Sequence, residues 1–150
     1  MSPRWNLGIA AFMVGSAINY FGDRALGVTM EVYRDLLTAF SGAWVVDIFL
    51  VPFVAGIGVS VIFGRGSWWL CYFPPLFVRC VSYFQISQLT GPPEGFRLIP
   101  MGWWGFFVIL AMEACTFGGF VGEVVLRRVY HRSEREKARE QIPAPRKPGR

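Results

Sequence analysis

Four long apolar runs constrain this chain more than any other feature. They are Trp5–Phe21, Ala43–Phe63, Trp68–Leu89 and Met101–Leu126. A bilayer core about 30 Å thick needs about 20 apolar residues per helix. Trp5, Tyr20, Trp68–Trp69 and Trp103–Trp104 stand near the ends of these runs, where aromatic rings favour the two membrane boundaries. The sequence therefore predicts an all-α, integral membrane four-helix bundle. Charged residues make up 17% of the chain, against about 25% in soluble domains. That deficit agrees with the same class.

The first run also has features of a signal peptide: Arg4, an apolar core and a small-residue site at Gly15-Ser16-Ala17. The apolar stretch continues past that site to Phe21, so a retained helix is the preferred reading.

Charge sets the expected orientation. Residues 1–126 hold six basic and seven acidic side chains, and residues 127–150 hold nine basic and three acidic. The chain thus divides into a four-span domain, 1–126, and a basic tail, 127–150, partly helical and then disordered. Basic excess marks the cytoplasmic side, which places the tail inside and, after four spans, the N-terminus inside too. The +6 of the tail lacks a basic fold behind it, so nucleic acid is not an expected partner. Arg127, Arg128, Arg132, Arg135 and Arg139 are candidates for docking anionic lipid or a protein partner.

Between the first two runs, Leu26, Met30, Tyr33, Leu37 and Phe40 recur at helical spacing. This predicts an amphipathic helix, lying on the membrane surface or packed on neighbouring spans, with Arg24, Glu31, Asp35 and Thr38 on its polar face and Asp23 and Asp35 read as parts of solvated faces. "GRGS" at 64–67 and "GPPEGFRLIP" at 91–100 read as turns. Small residues recur every four positions at Ala11–Gly15–Asn19, Gly56–Ser60–Gly64 and Gly118–Gly122. Such stripes let helices approach closely, so Gly15, Gly56, Ser60, Gly118 and Gly122 are expected packing residues.

Asp47, Arg79, Glu113 and Glu123 fall inside the runs. An ionised side chain at a helix centre costs about 2.5–3.5 kcal/mol on insertion scales, so such groups turn inward and find partners. Counting along the runs puts Arg79 and Glu113 both near mid-depth, which predicts a direct pair with Asp47 nearby. Glu123 stands four residues before Arg127, the spacing of a helical ion pair. The cluster Asp47, Arg79 and Glu113 reads either as a clamp on helix register or as a proton or ion pathway.

No catalytic fingerprint is present in the sequence. The lone histidine, His131, lies in the tail, which excludes a bis-histidine haem within the membrane. Cys71, Cys80 and Cys115 form no metal-binding spacing. No cofactor or metal is expected, and no enzyme activity. The expected function is a scaffold or accessory subunit of a larger membrane assembly, with a protein partner or further copies of the chain. A small proton- or ion-coupled transporter is the alternative. The expected location is a bacterial cytoplasmic membrane, by analogy with other small multi-pass proteins.

Overall fold

The computed structural model describes residues 3–34 and 41–140, with side chains over 4–34 and 41–128. The described chain is mostly helical. Helix α1 spans Pro3–Leu26, α2 spans Gly42–Phe63, and α4 spans Met101–Glu140. Helix α3 is built in three pieces: a 3-10 segment Ser67–Tyr72, an α segment Phe73–Phe84 and a π segment Gln85–Thr90. Two helical stretches, Gly42–Phe63 and Met101–Arg128, are long and apolar enough to cross a membrane.

Local chemistry explains the boundaries. Gly27 takes a positive φ of 62°, while Val28 N–H bonds Asp23 O and Gly27 N–H bonds Arg24 O, both at 3.2 Å. This left-handed cap closes α1. The expected surface helix is therefore absent over Leu26–Tyr33: Leu26 ends α1, Met30 lies in a turn, and Tyr33 belongs to a strand. Leu37 and Phe40 lie outside the described residues, as does Asp35. Strand β1, Val32–Tyr33, pairs antiparallel with β2, Arg97–Leu98. Ile99 N–H extends the contact to Glu31 O at 3.0 Å.

Ser41 caps α2, its hydroxyl accepting from Trp44 N–H at 3.3 Å. Pro52 lacks an N–H, and the helix widens into a π turn over Val46–Leu50 just before it. Such bulges re-aim the side chains they carry, and Asp47 sits on this one. Pro74 and Pro75 stand in the first turn of the α segment of α3, where missing donors cost least. The chain reaches α3 through Gly64 and Gly66, both at φ 80°.

Two apolar clusters fill the bundle. One joins Ala11, Ala55, Val59, Leu70, Cys71 and Cys115. The other joins Met30, Trp44, Ile48, Ile99, Phe107 and Val108 beside the strands. Helices α2 and α4 meet backbone to backbone: a Cβ added at Gly56 would strike the Cys115 carbonyl oxygen, and one at Gly118 the Phe53 carbonyl oxygen. Gly122 lies against Ser60 and Ile57, and Gly15 of α1 against Val59 and Pro74. Helix α1 continues unbroken through Gly15–Ala17, and α4 passes through 126–127 without a break.

Candidate functional site

The most unusual feature is a guanidinium sealed inside the bundle. Arg79, on the α segment of α3, keeps 1% of its side-chain surface exposed. Its Nη2 donates to Asp23 Oδ1 and to Asp47 Oδ2, each at 2.9 Å. Its Nη1 stands 3.8 Å from Glu31 Oε1. Four different parts of the chain supply these groups: the last turn of α1, the turn before β1, the π turn of α2, and α3.

Glu31 and Asp47 are as buried as Arg79, and Asp23 only slightly less so, at 13%. Three carboxyl groups surround one guanidinium, a formal charge of −2 if all are ionised. Several buried atoms there lack a hydrogen-bond partner: Asp47 Oδ1, Glu31 Oε1, Arg79 Nε and Arg79 Nη1. One turn before Asp23, Asn19 donates to Gly15 O at 2.8 Å and leaves its own Oδ1 unpartnered. Burial pushes the Glu31 carboxyl above the ordinary range, and the nearby Arg79 charge pulls it only partly back.

The cluster is not closed on every side. A pocket of about 350 Å³ lies at the strand end, lined by Asp23, Arg24, Thr29, Glu31, Ser82 and Gln85. Arg24 is drawn to its rim, with its guanidinium 3.7 Å above the Tyr20 ring. No group of three metal-ligating side chains occurs among the described residues. One guanidinium among three carboxyl groups leaves acidic groups in excess at a nearly sealed site.

The expected Arg79–Glu113 pair does not form. Glu113 is exposed on α4, and Tyr72 Oη donates to its Oε1 at 3.4 Å. Helix geometry gives the reason. Ala111 and Cys115 face the core, and Glu113 lies about 200° around the helix from each at 3.6 residues per turn. The π segment Gln85–Thr90 of α3 holds no buried residue. The packed part of α3 is shorter than its apolar run, and Arg79 lies toward its strand end.

Asp23 and Glu31 are the site residues that the sequence hides, since both fall on faces that read as polar and solvated. A signal for Asp23 was present: Ala11, Gly15, Asn19 and Asp23 share one four-residue stripe on α1. Glu31 had none, because its place depends on strand pairing with residues near 98.

At the tail end, Arg127 Nη2 donates to Glu123 Oε1 at 2.7 Å, and Gly66 N–H to Glu123 Oε2 at 3.2 Å. Arg127 and Arg65 flank a groove of about 560 Å³ with Trp68 and Phe120. Arg128 is exposed. The side chains of Arg132, Arg135 and Arg139 lie outside the described residues. Cys71 and Cys115 are buried and free, and Cys80 is exposed and free. No family model matches this chain, and no curated protein or solved structure does.

Proposed function

We propose that the chain is a four-span membrane protein, both termini cytoplasmic, that works as a non-enzymatic subunit of a larger membrane assembly. Exposed apolar side chains on the two less apolar helices support the four spans. Trp5, Ile9, Met13 and Phe21 of α1 are exposed, as are Trp69, Phe73, Phe77 and Phe84 of α3. In water so large an apolar surface would drive association; in lipid it is the solvent-facing side.

The observation that carries the subunit reading is Glu113. On this topology its carboxyl faces the acyl chains near mid-depth, with a tyrosine hydroxyl as its hydrogen-bond partner. A carboxylate in that position costs a few kcal/mol unless it is protonated or partnered. A neighbouring protein that brings a donor to Glu113 removes the cost. A photo-crosslinking residue at Phe117, one turn along the same exposed face, tests this in native membranes. The reading expects a discrete crosslinked species that Glu113→Gln abolishes. An uncrosslinked monomer, indifferent to Glu113→Gln, would remove it.

The buried cluster favours a second reading, a small proton- or ion-coupled transporter. Asp23 and Glu31 join Asp47 and Arg79 there in place of Glu113. Flux into liposomes carrying the purified chain should collapse in Asp47→Asn. Absence of flux under every imposed gradient would dismiss transport.

A further inference from the structure

We propose that Asp23 and Asp47 form a proton-binding pair that shares one proton at neutral pH and exchanges it with water through the strand-end pocket. The ligand is the proton itself. The inference rests on the site named in the second reading but requires no transport.

Geometry comes first. Both carboxyl groups accept from the same nitrogen, Arg79 Nη2, each at 2.9 Å. Two carboxylates held on one buried donor repel each other, and a proton shared between them relieves that repulsion. Asp47 Oδ1 gives independent support. It is fully buried and lacks a partner, and an ionised carboxylate with a bare oxygen is an expensive group to bury.

Helix α1 brings Asp23 and Arg24, the following turn Glu31, α2 Asp47, and α3 Arg79. Among the described residues α4 places no ionisable side chain within ion-pair distance of Arg79. With Asp23, Asp47 and Glu31 ionised beside Arg79 the buried charge is −2, and one shared proton reduces it to −1.

Access follows from the lining. Asp23 is the less buried of the two, and it borders the pocket with Glu31 and Gln85. A hydronium ion there gives its proton to Asp23 Oδ2 and leaves as water. The O–H then donates to Asp47, and the reverse step returns the proton. Asp23 is thus the port and Asp47 the inner acceptor. Arg79 remains protonated throughout and positions both.

Infrared spectroscopy of the full chain in lipid nanodiscs tests this. Carbonyl labelling of aspartate with carbon-13 should shift a protonated-carboxyl band present at neutral pH. That band should fade as pH rises and respond to heavy water. Asp23→Asn and Asp47→Asn should each remove it, while Glu31→Gln should leave it. A neutral-pH spectrum with no aspartate-labelled carboxyl band overturns the proposal, and so does a band that survives both substitutions. Should either variant fail to fold, the labelled wild-type chain still decides. A labelled band without flux in liposomes retains the pair and dismisses transport; flux without the band does the reverse.

Discussion

A single nitrogen of Arg79 lies 2.9 Å from Asp47 and 2.9 Å from Asp23, so one side chain fastens three helices. Elsewhere these helices meet their neighbours mostly through apolar and small residues, which define a contact face but hold its register weakly. The ionic contact fixes both.

Removing the guanidinium should therefore cost more than removing either acid. Arg79→Met leaves three buried carboxyls without their cation, and breaking a buried pair costs about 3–5 kcal/mol. Thermal unfolding in mild detergent should show a large fall for Arg79→Met and a smaller one for Asp23→Asn. Equal stability of Arg79→Met and wild type would show that the cluster does not hold the helices.

Glycine substitutions should separate by what faces them. At Gly56 a new Cβ meets the backbone of Cys115, so Gly56→Ala must push α2 away from α4. Overpacking of this kind costs about 1–3 kcal/mol. At Gly105 nothing lies within 4 Å of the added atom, and alanine gains about 0.5–1 kcal/mol over glycine in a helix. Unfolding midpoints should move in opposite directions for Gly56→Ala and Gly105→Ala.

The pH dependence follows from Glu31, which lies in the turn outside the apolar runs. Burial raises its carboxyl above the ordinary value. A raised folded-state value favours the native chain fully at pH below the ordinary carboxylate range. That contribution is lost as pH rises through the raised value. Wild type should thus lose stability more steeply than Glu31→Gln as pH rises above the ordinary carboxylate range. Parallel curves for the two would contradict this sign.

The tail should bind anionic membranes. Its nine basic residues against three acidic ones gain about 1 kcal/mol per Lys or Arg near an anionic surface. A peptide of residues 127–150 should sediment with phosphatidylglycerol vesicles and be released by salt. Replacing Arg127, Arg128, Arg132, Arg135 and Arg139 with Gln should weaken binding severalfold. Equal binding to neutral vesicles would exclude the electrostatic account.

The sequence made some of this legible and hid the rest for physical reasons. Apolar length marks helices, because a backbone removed from water must bond within its own segment. Asp47 and Arg79 declared themselves as charges in apolar runs. Glu113 misled because its depth was considered without its direction: the stripe Ala111–Cys115–Gly118–Gly122 already marked the packed face of α4, and Glu113 lies off it. Gly27 stops α1 although the amphipathic period runs on, and period alone does not register a left-handed cap. Glu31 was out of reach, since pairing of Val32–Tyr33 with Arg97–Leu98 joins segments far apart in the chain.

A pair of double-mutant cycles tests the central claim most directly, by measuring unfolding free energies for Arg79→Gln combined with Asp47→Asn and, separately, with Glu113→Gln. Contacting groups couple by about 0.5–3 kcal/mol, and distant ones add within a few tenths. Strong coupling of Arg79 to Asp47, with simple additivity for Arg79 and Glu113, is the result the account predicts. Additivity for Arg79 and Asp47, with coupling to Glu113 instead, would contradict it.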